Sequence, residues 1–409
     1  MKKTGKNLTT AFAVVAVTTS LAMPAFADIS DNVVKIGIMN DQSGPYADNC
    51  GPGAVAAARL AVEDAGGEIN GAKIEIVVAD DQNKPDIGAA TALRWLDEEG
   101  VDAIVGCSTS SIANAVHDMM QDRKKPYMLA GTASSYFTNE RCSPMTTQWV
   151  VDSYALPRAT VNSLLSEGID SWYFITVDYA FGKSWQEDTT TFIEEGGGEV
   201  LGSVLHPLGS NDFSSYLLRA QASGAKAIAL ANAGGDFANT MKQAAEFGVG
   251  ADGQLLVPLG MFINSANGIG LDVLKDVRLT TAFYWDANDE TRAFAKRYRE
   301  AFNGRFPNGP QAGNYSAVAH YLKAVAATGS DDGEVVMAEM KDTPVNDFSM
   351  KDVSIRDDGQ VMRPLYAARV KGPDESEYEY DYYEITDTIA PSDAWRPAEQ
   401  SRCPLLTGG

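Results

Sequence analysis

The chain has 409 residues and a formal net charge of −22 at pH 7, from 33 Lys and Arg against 55 Asp and Glu. So acidic a surface repels phosphate backbones and anionic membranes, which argues against nucleic acid and lipid surfaces as partners. The three histidines, His117, His206 and His320, lie far apart, and no HExxH, CxxC or GxSxG motif occurs, so neither a metal site nor a catalytic nucleophile–base constellation is expected.

The first residues, MKKTGKNLTTAFAVVAVTTSLAMPAFA, read as an export leader. Lys2, Lys3 and Lys6 form a basic start, residues 8–23 an apolar core broken by Thr and Ser, and Ala25-Phe26-Ala27 a small-x-small cleavage site. The run is too short and too rich in Thr to span a bilayer comfortably. No Cys follows it to carry a lipid, and no further long apolar run occurs. The expected product is a soluble exported protein beginning at Asp28, with no segment inserted in the membrane. What remains is too long for one ordinary core and suits two domains. In an oxidising compartment, Cys50, Cys107, Cys142 and Cys403 make two disulfides the expectation, with three pairings open.

From residue 33 onward strand and helix patterns alternate. Strands are expected at 33–39, 73–79, 102–106 and 126–130, and helices at 52–65, 85–99 and 110–122. That rhythm calls for a parallel sheet covered by helices on both faces. It restarts with helices at 155–167, 182–195, 212–221 and 236–248, and strands at 171–177, 199–205, 225–231 and 254–257. The last third differs, with a strand at 278–284, helices at 290–302, 314–328 and 334–341, and strand patterns at 353–355, 365–370 and 377–385. A helical block with few strands cannot form a sheet alone, so it is expected to return to the first domain. The expected division is a first lobe of 28–150 plus 284–350 and a second of 151–283 plus 351–409. A chain that crosses more than once between lobes makes a hinge with a cleft.

In a doubly wound sheet, ligands sit beyond the carboxyl ends of the strands. Three loops at that edge of the first lobe are candidates: the opening loop 41–53, which carries Cys50; Cys107-Ser108-Thr109-Ser110-Ser111; and Ala130-Gly131-Thr132-Ala133-Ser134-Ser135. Hydroxyls beside the free N–H groups of helix N-termini make an uncharged receptor for an anion, and a carboxylate accepts several such bonds at once. Ser and Thr also serve simply as N-caps, but two such loops on one edge favour a ligand. The opening loop has neither GxGxxG spacing nor a P-loop Lys, which argues against a nucleotide. The second lobe offers aromatics instead. Tyr179 and Phe181 follow one strand, Ala233 and Asp236 the next, and Leu259 and Phe262 the one after. Tyr154 and Tyr284 fall where the chain is expected to change lobes.

Taken in order, IGIMNDQSGPYA, VDAIVGCSTSS, AGTAS, VDYAFG and DFSSYLLRAQASGAKAIALANAGGD resemble the solute-binding proteins of ATP-driven importers. The family is that of the branched-chain-amino-acid (Leu/Ile/Val)-binding proteins, with its type I periplasmic fold. The resemblance covers nearly the whole chain past the leader. It implies an α/β protein of two doubly wound, Rossmann-like lobes joined by a three-segment hinge. It implies a monomeric receptor that needs no cofactor, makes no bonds, and hands its ligand to an ABC permease in the inner membrane. It also implies that a ligand carboxylate rests on Thr109, Ala130 and Thr132 and that Phe181 covers the ligand. Amino-acid binders of the family carry an acid in a Pro-Glu-Gly context, which neutralises the α-ammonium. Here the stretch is Pro258-Leu259-Gly260, and a buried ammonium without an anion is costly. Asp236 could substitute, which keeps amino acids and amides as the alternative ligands; presentation to a membrane kinase is the alternative role. DYAFG and ANAGGD resemble the subgroup that takes aromatic carboxylates, the expected ligand class. On this layout Cys50 and Cys107 both lie on loops at one edge of the first lobe, and their pairing would brace the cleft mouth. Cys142 and Cys403 would then tie the tail to the hinge region.

Overall fold

The computed structural model describes residues 1, 2, 5 and 29–407; the rest of the expected leader and its cleavage site lie outside the described residues. The first sheet is built from β1 (Val33–Asn40), β2 (Glu68–Ile69), β3 (Ala72–Asp80), β4 (Ala103–Gly106), β5 (Tyr127–Leu129) and β6 (Thr146–Gln148). Between them run α1 (Gly51–Asp64), α2 (Pro85–Asp97) and α3 (Ser110–Asp122). The spatial order is β2-β3-β1-β4-β5-β6. All neighbours are parallel except β2, which forms a hairpin with β3. Val34, Ile36 and Ile38 on β1 and every residue of β4 are buried, so helices must cover both faces. α3 meets that need with Ile112, Ala113, Val116 and Met120 on its buried face.

The second sheet repeats the plan with α4 (Ala155–Ser166), β7 (Ser171–Val177), α5 (Ala180–Glu195), β8 (Glu199–His206), α6 (Ser214–Ala222), β9 (Ala227–Ala231), α7 (Gly234–Phe247) and β10 (Leu255–Pro258). Its order is β10-β9-β7-β8, all parallel. α8 (Ile263–Ile269), α9 (Leu271–Leu274) and β11 (Arg278–Thr281) follow. The chain then returns to the first lobe as α10 (Asp289–Ala301), α11 (Gly309–Thr328) and α12 (Gly333–Asp342), with α11 packed along α1. α11 begins earlier than its apolar pattern suggests. Asn308 caps the N–H of Gln311 while the Gln311 side chain accepts from the N–H of Asn308, a reciprocal cap that fixes the start of the helix.

Three features depart from expectation. β6, with the sequence Thr-Thr-Gln, is fully buried yet carries no apolar residue. β12 (Leu365–Val370) and β13 (Tyr383–Ile389) join β11 in a separate antiparallel sheet, so residues 377–382 are loop and not strand. Residues 353–361 form only isolated bridges, one of them between Gln360 and Gln148 on the edge of the first sheet. The division expected at residue 351 therefore falls inside a segment that packs on the first lobe. The chain passes between lobes before α4, after β11 and before β12, and its tail comes back to the first lobe through the Cys142–Cys403 disulfide. No helix among the described residues is long and apolar enough to cross a membrane.

Candidate functional site

Loops from the carboxyl ends of β1, β4 and β5 face loops from β7, β9 and β10 across a void of about 530 Å³, counting the part open to solvent. The β1 loop is shaped by Asp41, whose carboxylate accepts the backbone N–H groups of Gly44 (2.6 Å) and Tyr46 (2.8 Å) and the side-chain amide of Asn83 (2.7 Å). That turn presents Tyr46, Asn49 and Cys50 to the void. Cys50 is bonded to Cys107, which fastens the β1 loop to the β4 loop.

The β4 loop carries Ser108, Thr109 and Ser110 into the wall of the void. Ser108 Oγ donates to Asp81 at 2.8 Å, and burial raises the pKa of that carboxyl group. Thr109 is the N-cap position of α3, so the first N–H groups of the helix have no partner within it. Ser110 Oγ is buried and has no hydrogen-bond partner among the described residues. The β5 loop adds Gly131, Thr132 and Ala133. Thr132 Oγ1 donates to the carbonyl of Ser108 at 2.6 Å, and the Gln148 side chain of β6 donates to the carbonyls of Thr132 and Val151. The unforeseen polar strand thus holds a site loop in place.

The opposite wall is aromatic. Tyr179, Phe181 and Trp185 line it from the start of α5, with Ala233, Gly260 and Phe262 from the next two loops. Tyr179 and Phe181 stack with centroids 5.7 Å apart, and Phe181 and Trp185 lie at 4.9 Å. Gly260 admits the Trp185 ring, because a Cβ there would stand 2.2 Å from it.

The lobes are closed on one another. Trp185 Nε1 donates to the Ala133 carbonyl at 2.7 Å, Asn264 Nδ2 to Asn49 Oδ1 at 3.0 Å, and the N–H of Gly235 to the Pro45 carbonyl at 3.1 Å. Gly234 has φ +59°, and a Cβ there would meet the Pro45 oxygen at 2.4 Å, so backbone touches backbone where only glycine fits. The Oη atoms of Tyr46 and Tyr179 meet at 2.8 Å. Burial raises the pKa of both phenols, which stay neutral. Among the described residues, none of those lining the void carries a charge.

Of the residues singled out in the sequence, Cys50, Ser108, Thr109, Ser110, Gly131, Thr132, Tyr179, Phe181, Ala233 and Phe262 come together here. Five do not. Ala130 is fully buried, with its carbonyl toward α11. Leu259 belongs to the core. Tyr154 packs edge-on against Phe192 at 4.9 Å beneath the Arg396 guanidinium. Tyr284 packs on Tyr383 at 5.4 Å. Asp236 accepts the N–H of Gly209 at 3.1 Å and stands 3.9 Å from His206; burial pushes its pKa up to about 6. Each is satisfied within its own surroundings; Asp236 does not line the void, although its charge reaches the Tyr46 and Tyr179 phenols that do. Tyr46, Asn49, Ala133, Trp185, Gly260 and Pro310 line the void without having been singled out. Tyr46, Asn49 and Ala133 lie within the candidate loops, and Trp185 lies one helical turn after Phe181 on the same face.

The model of the periplasmic binding protein family matches residues 33–376. The Leu/Ile/Val-binding protein homolog 6 of Brucella melitensis is 27% identical over 331 residues, 78% of this chain and 81% of its own. The crystal structure of a periplasmic binding protein from Burkholderia mallei is 42% identical, with a TM-score of 0.89 over 91% of this chain and 99% of that one. A solute-binding protein of an R. palustris ABC transporter, solved in complex with benzoate, shares the fold, with a TM-score of 0.79 at 18% identity, over 91% of this chain and 100% of that one. The chain belongs to the periplasmic binding protein family and is similar there to homologues of the Leu/Ile/Val-binding proteins.

Proposed function

We propose that the cleft takes an aromatic carboxylate and that the closed protein delivers it to its membrane permease. The observation that carries this reading is the absence of charge among the described lining residues, combined with one hydroxyl-bearing wall and one aromatic wall. A carboxylate needs no basic partner there. The unpaired Ser110 hydroxyl and the free N–H groups at the start of α3 supply several donors, and the helix dipole adds about 0.3–1 kcal/mol. An α-ammonium would be buried against an uncharged wall that offers it no carboxylate, which disfavours a zwitterionic amino acid. The rings of Tyr179, Phe181 and Trp185 offer a flat ligand stacking and edge contacts instead. The R. palustris protein that shares the fold and holds benzoate supports the same ligand class.

Each lobe supplies part of the ligand's contacts, and only the closed form makes both sets, so ligand shifts the population toward closure. The test is a thermal-shift screen of the purified protein over benzoate, phenylacetate, leucine, glutamine and a quaternary amine. The expected result is a raised melting temperature with the aromatic acids and none with leucine; the reverse pattern overturns the reading.

A further inference from the structure

We propose that Tyr46 and Tyr179 select aromatic carboxylates that bear a hydroxyl on the ring; this rests on the aromatic-acid reading of the same cleft. The two phenols line the void from opposite lobes with their oxygens 2.8 Å apart. A pair of phenols has two O–H protons and spends one between them. Neither oxygen makes another hydrogen bond among the described residues. One O–H and several lone pairs are therefore left for a third group, and burial keeps both phenols protonated.

Their place follows from the sheet order. β4 lies between β1 and β5, so the β1 loop with Tyr46 flanks the Ser108–Ser110 turn on one side and the β5 loop with Thr132 on the other. A carboxylate held on the Ser110 hydroxyl and the α3 N-terminus leaves the phenols to meet the substituents of the ring. Phe181 stands next to Tyr179 along that wall, at 5.7 Å. A ring hydroxyl both donates and accepts, which is what the half-used pair lacks. A plain C–H at that position leaves the spare O–H unanswered. The penalty is moderated because the two phenols still bond to each other.

The experiment titrates benzoate, 4-methylbenzoate and 4-hydroxybenzoate into the purified protein by calorimetry, and repeats this with Tyr46→Phe and Tyr179→Phe. Either change removes only an oxygen. The readout is the ratio of affinities within each variant, and the methyl compound separates size from hydrogen bonding. The expected result is that the hydroxylated acid binds about tenfold tighter than the methylated one, and that each variant reduces this ratio to below about threefold. Equal affinities in the unmodified protein, or a ratio that survives both substitutions, overturn the inference. Benzoate binding without a hydroxyl preference removes the tyrosine role alone. Failure of all three acids to bind removes the aromatic-acid reading and the tyrosine role with it.

Discussion

The indole N–H of Trp185 donates to the carbonyl oxygen of Ala133 at 2.7 Å, and this buried bond joins α5 of the second lobe to the β5 loop of the first. Its partners meet only when the lobes close, so its energy enters the closing equilibrium and not the stability of either lobe. Trp185→Phe keeps an aromatic ring beside Phe181 but removes the donor. A buried hydrogen bond contributes about 0.5–1.5 kcal/mol net, so the affinity for an aromatic acid should fall roughly three- to tenfold. Titration calorimetry checks this, and an unchanged dissociation constant would exclude the bond from the closing energy.

Ser110 and Thr132 carry similar hydroxyls on adjacent loops, yet the structure gives them different roles. Ser110 Oγ is buried with no partner among the described residues, so Ser110→Ala should leave the melting temperature of the ligand-free protein unchanged or slightly raised. A bond to a charged ligand is worth about 1.5–3 kcal/mol, and the same variant should lose roughly ten- to hundredfold in affinity. Thr132 Oγ1 already donates to the Ser108 carbonyl. Thr132→Val should therefore lower both stability and affinity, the latter through a loosened β4 loop. Melting curves and titrations on the two variants separate the roles; equal effects on stability would contradict the assignment.

The parallel sheets were legible because strands buried on both faces read as unbroken apolar runs, AIVG in β4 and AIALA in β9. The Ser/Thr loops were legible because those residues recur at helix starts behind such strands. β6 was not, since its buried residues are polar: Thr146 Oγ1 lies 3.1 Å from His117 Nδ1, Gln148 serves the β5 loop, and the buried Thr147 hydroxyl has no partner among the described residues. Tyr284 was misplaced for a different reason. Its partners Tyr380 and Tyr383 lie about a quarter of the chain away and reach it only through the antiparallel sheet, a pairing that no local pattern announces. Trp185 reads equally well as core or cleft, and only the close approach allowed by Gly260 turns it toward the first lobe.

The two disulfides should have separable effects. Cys142–Cys403 spans 261 residues of sequence and ties the tail to the first lobe, outside the lining of the void. In the chain-entropy model, closing a loop of that size stabilises by up to about 5 kcal/mol. The double change Cys142→Ser with Cys403→Ser should lower the melting temperature by several degrees and leave ligand affinity alone. Cys50–Cys107 spans only 57 residues but lines the void, where a Cβ on Gly131 would stand 2.6 Å from Cys107 Sγ. Replacing that pair by Ser should lower the melting temperature as well, by somewhat less because the closed loop is shorter, and should also weaken binding. Differential scanning calorimetry with and without an aromatic acid measures both quantities.

Asp152 sets the last expectation, a dependence of stability on pH. It is buried where the chain first changes lobes, and its Oδ1 accepts the N–H groups of Tyr154 (3.0 Å) and Ala155 (2.6 Å). Burial is the main reason its pKa is pushed up to about 7, with those two bonds and Arg396 opposing and Asp188 adding to the rise. An acid raised in this way keeps its proton in the folded chain where the unfolded chain, titrating near 4, has lost it. Folding then takes up a proton between about pH 4 and pH 7, and stability falls as the pH rises through that window. The acidic chain also relaxes its self-repulsion on acidification, so the whole-protein curve mixes two causes. Asp152→Asn isolates one of them, because an amide keeps the acceptor oxygen and does not titrate. The melting temperature of the variant relative to the unmodified protein should rise between pH 5 and pH 8, by several degrees at about 1.4 kcal/mol per unit of displacement. Parallel curves across that range would show that Asp152 is ionised in the folded protein throughout.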